Sequence, residues 1–126
     1  MTAAGNLNQP TQIARKQSTE RTTTMSYCAE IVTFTLKADE DEYVALRKAA
    51  IAEVKNAHPK LIAVPFCAKR SGGTWVDVWI YETKEAADAA NADVENMPEF
   101  LKMYAVLDGV EIELTEFPES AVSPLS

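Results

Sequence analysis

The stretch Thr74-Trp75-Val76-Asp77-Val78-Trp79-Ile80-Tyr81 restricts what this chain can fold into more than any other. Thr74, Val76, Val78 and Ile80 fall on one side of it, and Trp75, Asp77, Trp79 and Tyr81 on the other. Strict period-two alternation in β-branched and aromatic types predicts a strand with two different faces, because successive side chains leave a pleated strand in opposite directions. One face is aliphatic and needs only something to pack against. The other carries both tryptophans of the chain and a carboxylate set between them. A carboxylate among indoles is costly to bury alone, so Asp77 requires a partner, water or a ligand.

The neighbouring segments say what surrounds this strand. Ser71-Gly72-Gly73 predicts the hairpin turn that feeds it, and Leu61 to Ala68 the strand before that turn. Pro65 lies inside that earlier strand and cannot donate to a ladder, which places the strand at a sheet edge or gives it a bulge. Upstream, Cys28 to Leu36 predicts a first strand, with Val32, Phe34 and Leu36 on one face and Ile31, Thr33 and Thr35 on the other. Between the two, Ala38 to Glu42 opens a helix: Asp39 is placed to cap it, Glu42 to reach back, and the acids favour its positive end. Tyr43, Leu46, Ala50, Ile51, Val54 and Ala57 form its apolar stripe, and Pro59 stops it near His58.

Downstream, Thr83 predicts the cap of a second helix whose face is built from Ala86, Ala87, Ala89, Ala90 and Ala92. After Asn96-Met97-Pro98, a further helical piece is expected through Phe100, Leu101, Met103, Tyr104 and Leu107, with Asp108-Gly109 as its stop. Val110, Ile112 and Leu114 then alternate with Glu111 and Glu113 as the last strand. The order strand, helix, strand, strand, helix, strand predicts a ferredoxin-like βαββαβ sandwich of the α+β class. Its four-stranded antiparallel sheet carries both helices on one face, with the first strand beside the third and fourth and the second at the edge. Cys28 and Cys67 then lie at opposite ends of the sheet, which argues against an intramolecular disulfide. The uncovered face of such a sheet predicts a two-fold homodimer packed sheet to sheet.

Composition narrows the function classes. The chain has 126 residues, room for one domain with a core. Residues 1–25 are rich in Thr, Gln and Asn and predict a disordered or loosely ordered leader; 26–117 is the domain, and 118–126 a flexible tail. No apolar run marks the leader as a secretory signal, and none elsewhere is long enough to span a bilayer. A cytoplasmic protein is the expectation. Net charge is −7, and since Arg15, Lys16 and Arg21 against Glu20 leave the first 25 residues at +2, the remainder carries −9. An acidic domain without a basic stripe is a poor partner for nucleic acid or an anionic membrane. Two cysteines and one histidine, without ligand spacing, predict no metal site.

The pattern resembles the dimeric α/β-barrel proteins, and among them the antibiotic biosynthesis monooxygenase (ABM)-like family, over roughly Tyr27 to Phe117. The carriers are the strand Trp75-Val76-Asp77-Val78-Trp79, the alanine-rich helix after Thr83-Lys84-Glu85-Ala86, and Asn96-Met97-Pro98-Glu99-Phe100, similar to a small-x-Pro-x-Phe segment of that family. The resemblance implies a homodimer with a ligand pocket between each sheet and its helices. It implies oxidation of small aromatic or polycyclic phenolic substrates by O₂ without metal or prosthetic group, so no cofactor is expected. Haem-degrading relatives use a histidine on the second helix; here Asn91, Asp93 and Val94 occupy that region.

The candidate site follows from packing. An alanine helix can approach a sheet closely and suits a strand with bulky side chains, which turns Trp75, Trp79 and Tyr81 toward the helices and Val76, Val78 and Ile80 toward the dimer partner. The aromatics are then either plain core or the wall of a pocket. In the second case Asp77, raised in pKa by desolvation, takes a phenolic proton while the indoles stack on the ring. In the first, Asp77 pairs with Lys69 or Arg70 across the hairpin. His58 is the second catalytic candidate, or else a surface cap. Asn91, Met97, Phe100 and Tyr104 complete the expected substrate-binding set, flexible methionines adapting to ligand shape. A non-catalytic dimeric ligand-binding or structural protein of the same fold is the alternative.

Overall fold

A computed structural model describes residues 26–122. The expected leader, and 123–126 of the expected tail, lie outside the described residues. Tyr27–Phe117 forms one compact unit. Its elements are β1 (Ser26–Leu36), α1 (Glu40–Ala57), β2 (Leu61–Ala63), β3 (Cys67–Lys69), β4 (Trp75–Tyr81), α2 (Lys84–Ala92), a 3₁₀ turn (Val94–Asn96), α3 (Pro98–Tyr104) and β5 (Leu107–Pro118). Beyond Phe117, a second 3₁₀ turn covers Glu119–Ala121. Among the described residues no helix is long and apolar enough to cross a membrane.

β4 lies inside the sheet. The strand order is β2–β4–β1–β5, with β3 also pairing β4, and the pairings of β4 are antiparallel. Its alternation is realised residue by residue: Trp75, Asp77, Trp79 and Tyr81 are buried while Val76, Val78 and Ile80 are only partly so. Opposite it on β1, Glu30 faces Trp79 and Val32 faces Asp77 in register. The α+β sandwich expected from the sequence is therefore present.

Two boundaries differ from expectation, each for a local reason. The edge strand predicted over Leu61 to Ala68 is broken into β2 and β3 around Pro65, which has no N–H to give the ladder. Register passes from Ala63 opposite Ile80 to Cys67 opposite Asp77, so the edge takes one residue more than β4 across the gap. The Val78 amide still donates to the Phe66 carbonyl at 3.3 Å, holding the two pieces on one partner.

Asp108-Gly109 is not the helix stop. α3 ends at Tyr104, Leu107 already belongs to β5, and Gly109 sits within the strand at φ +61°, a left-handed value that costs other residues steric strain.

Caps divide similarly. Thr83 caps α2 as predicted, its Oγ1 accepting from the Ala86 amide at 3.0 Å. Asp39 occupies the cap position of α1 without a side-chain hydrogen bond, its carbonyl accepting from Tyr43. The acids Glu40, Asp41 and Glu42 favour the positive end of the helix dipole there, and Glu40 also pairs with Lys69.

α2 lies against β4 with Ala87 and Ala90 buried, as close approach of a small face to a bulky strand requires. α3 packs along α1, where the Glu53 carboxylate accepts from the Phe100 amide at 2.9 Å and satisfies an otherwise free donor in the first turn of α3. The core between layers is aromatic: Phe34 meets Tyr43 at 5.4 Å between ring centroids, Tyr43 meets Trp75 at 6.0 Å and Trp79 meets Phe100 at 6.1 Å. Each such buried ring contributes on the order of 2–3 kcal/mol through lost water contact.

Candidate functional site

The helix-side face of β4 meets α1 at Asp77. That carboxylate is 2% exposed and fully engaged. Its Oδ2 accepts from the Tyr43 hydroxyl at 3.1 Å and from Arg47 Nε at 2.9 Å, while Oδ1 accepts from Arg47 Nη2 at 2.9 Å. The partner is thus neither Lys69 nor Arg70. Lys69 pairs instead with Glu40 at 2.6 Å and lies 5.8 Å from the Trp75 ring centroid. Tyr43 and Arg47 stand four residues apart, on one face of α1, and the two-pronged guanidinium matches the two carboxylate oxygens. Burial, with the neighbouring Asp77 charge adding to it, pushes the Tyr43 hydroxyl well above its usual range, so it stays protonated and serves as a donor.

Beside this closed network lies a second carboxylate that sequence reasoning passed over. Glu30 on β1 is 5% exposed, and its Oε2 accepts from the Asn91 side-chain amide on α2 at 2.8 Å. Burial pushes its carboxyl above the ordinary carboxylate range; the Asn91 hydrogen bond opposes this, and the negative charge of Asp77 adds to it. The signal was present in phase. Glu30 falls on the same alternation as Val32, Phe34 and Leu36, the face predicted to turn inward. Arg47 was legible in the same way, one helical turn beyond Tyr43 in the apolar stripe of α1.

Glu30 and Asp77 both border a small cavity under α2 and α3. Its walls include Trp79, Asn91, Phe100, Met103 and Tyr104, with Val110 and Ile112 contributed by β5. The space measures about 30 Å³, little more than a water molecule needs. Phe100 and Tyr104 are stacked at 6.3 Å, and Tyr104 and Ile112 are 45% and 52% exposed. The inner walls are buried: Trp79 on β4 is 3% exposed and Met103 on α3 4%.

Of the residues expected at a site, the fold therefore brings Asp77, Trp79, Asn91, Phe100 and Tyr104 together. Trp75, Tyr81 and Met97 are core residues that do not border the cavity. His58 lies elsewhere: its Nε2 is 2.8 Å from Asp93 Oδ2, beside an open groove with Lys60, Thr83 and Glu85. Asp93 is braced by Asn96 at 2.7 Å, and the hydrogen bonds from Asn96 and His58 hold its carboxyl below the usual range. Cys28 and Cys67 are free thiols, both pushed up chiefly by burial. Among the described residues no cluster of His, Cys, Asp and Glu could hold a metal ion.

The antiparallel sheet with helices packed on it is a ferredoxin-like α+β fold, and solved structures of ABM-like proteins share it. It superimposes on a variant of SnoaB, a cofactor-independent oxygenase from Streptomyces nogalater, with a TM-score of 0.58 at 14% identity, covering 71% of this chain and 90% of that one. An antibiotic biosynthesis monooxygenase candidate from Caulobacter crescentus gives a TM-score of 0.57 at 15% identity, over 72% and 89% of the two chains. A NIPSNAP-like domain protein from Burkholderia xenovorans gives 0.53 at 20%, over 79% and 91%. No family model and no curated protein matches the sequence. At these identities the likeness is one of fold.

Proposed function

We propose that the protein binds a small hydroxylated aromatic molecule in the cleft between α2–α3 and the β1–β5 side of the sheet, and acts on it as a cofactor-independent monooxygenase. The observation that carries this reading is Glu30: a buried carboxyl with a single amide partner, at the edge of an aromatic-walled cavity. Asp77 has both oxygens occupied by Arg47 and Tyr43 and holds the wall in place. Glu30 retains acceptor capacity, and burial raises its pKa, the direction that makes its carboxylate a stronger base. In the proposed step the substrate O–H bond breaks, its proton passes to Glu30, and the phenolate is left electron-rich toward O₂. For a simple phenol the balance is phenol plus O₂ to quinone plus water, with O₂ as the oxidant and source of the new ring oxygen. The SnoaB likeness supports the oxygenase part of the reading through fold alone.

The same reading includes a homodimer. Val78 and Ile31 are register partners on the sheet face away from the helices, joined there by Val76 and Ile80. These partly exposed aliphatics form a surface that a second copy would bury.

A non-catalytic binding protein of this fold is the second reading, and the small size of the cavity favours it. The Glu30→Gln variant separates the two. Under the oxygenase reading, calorimetry shows phenol affinity of the wild type falling as pH drops through the raised Glu30 pKa, and Glu30→Gln loses this dependence together with O₂ consumption. Unchanged affinity, pH profile and O₂ uptake in Glu30→Gln would remove Glu30 from the function.

A further inference from the structure

The cavity beside Glu30 is built without positive charge. Its lining is apolar, aromatic, neutral polar or acidic, and among the described residues no lysine, arginine or histidine borders it. The surrounding elements explain this. β1 and β4 contain no basic residue, and β5 carries Asp108, Glu111, Glu113 and Glu116 without one. α2 and α3 have one lysine each, paired at the surface: Lys84 with Asp88 at 3.1 Å and Lys102 with Glu99 at 3.3 Å. On α1, Arg47 gives Nε and Nη2 to Asp77, and Nη2 also reaches the Val64 carbonyl at 3.4 Å. Donors around the cavity are engaged in the same way by the protein's own carboxylates. Asn91 donates to Glu30, the Tyr43 hydroxyl to Asp77, and the Phe100 amide to Glu53. Glu30 keeps one carboxyl oxygen without a side-chain partner among the described residues, and the charges acting on it, Asp77 and Asp88, are both negative. Aromatic ring faces, negative in their quadrupole, favour cations over anions.

We infer that this site selects its ligand by charge: it takes an aromatic molecule that bears no ionised carboxylate, sulfate or phosphate group, and excludes the anionic counterpart. This rests on the reading of Glu30 as base, which requires that residue ionised when the substrate arrives, and deepens it by fixing the charge class of the substrate. An anion entering the cavity meets the Glu30 carboxylate where little water and no cation offset either charge. The selection does not depend on how far the wall opens. Movement of exposed side chains such as Tyr104 and Ile112 enlarges the space, but neither they nor their strand and helix bring a free basic group to it.

Calorimetric titration of the full chain at neutral pH with 4-hydroxybenzamide and 4-hydroxybenzoate, nearly equal in shape and different in charge, tests this. The wild type should bind the amide about a hundredfold more tightly, the order that repulsion between like charges reaches in a poorly hydrated site. Glu30→Gln, folded as judged by circular dichroism, should bring the two affinities within about tenfold, because only the cost of dehydrating the anion remains. Wild-type affinities within about threefold of each other would overturn the charge selection. So would a gap left undiminished in Glu30→Gln, since dehydration and not the carboxylate would then be its cause. The two readings fail separately. If O₂ consumption survives in Glu30→Gln while the gap shrinks, the base role is lost and the charge assignment stands. If the wild type binds both ligands alike and Glu30→Gln loses O₂ consumption, the base role stands alone. If the folded wild type binds neither ligand, both are wrong.

Discussion

Arg47 and Asp77 form an ion pair whose side chains are 14% and 3% exposed, and removing either partner tests whether this network is structural or catalytic. In Arg47→Ala the Asp77 carboxylate stays buried, with the Tyr43 hydroxyl as its remaining side-chain donor. Breaking a buried pair from one side costs about 3–5 kcal/mol, far more than the ~0–1 kcal/mol of an exposed pair. The small residual exposure of Arg47 and the retained Tyr43 bond place the expected loss near the lower bound, about 3 kcal/mol. For a domain of this size that lowers Tm by more than about 10 °C. Asp77→Asn should cost less, about 2 kcal/mol, because the orphaned charge is then on the more exposed partner. The double variant Arg47→Met/Asp77→Leu removes both charges and should recover much of the loss, short of about 1 kcal/mol for the Tyr43 hydroxyl left without its acceptor. Urea unfolding followed by tryptophan fluorescence, at fixed protein concentration so that any association is held constant, measures all three. A loss below about 1 kcal/mol in Arg47→Ala, or a double variant as unstable as the sum of the singles, would refute the buried-pair argument.

Other consequences are simpler to check. Since the folded protein holds Glu30 above its unfolded pKa, both states are neutral below the unfolded value and no penalty exists there. The penalty develops as pH rises through the unfolded and then the folded pKa, so Glu30→Gln should match wild-type stability in acid and exceed it at neutral pH in urea titrations. A constant difference across pH would contradict the raised pKa. Thr83→Ala removes the one side-chain bond to the first turn of α2 and should cost about 1 kcal/mol by the same assay. Val78→Lys places a charge in the centre of the open sheet face, and light scattering should then show a monomer where the wild type is a dimer. A wild-type monomer at every concentration would end the sheet-to-sheet proposal.

Much of this architecture was legible in residue order alone, because it rests on local rules. Period-two alternation from Thr74 to Tyr81 gave the faces of β4, Thr83 its helix cap, Pro59 the end of α1, and Pro65 the weakness of the edge strand. Each of these depends on φ/ψ preferences or on which way a side chain leaves the backbone, and neither needs distant residues. Gly109 was misread because a glycine with positive φ serves a helix stop and a strand irregularity equally well, and only the pairing partner distinguishes them.

What tertiary structure decided was pairing. That Asp77 belongs to Arg47, thirty residues earlier, is a fact about how α1 lies over β4, and charge type alone left Lys69 and Arg70 just as eligible. That Glu30 stands beside Asn91, and His58 apart from both at Asp93, follows from the same layer packing. The sequence determined which faces are inward, and the closing of one layer on another determined which inward carboxylate is satisfied and which is left facing space. Desolvation makes that difference chemical: the paired carboxylate is held in the wall, and the one with a single amide partner is raised in pKa beside the cavity.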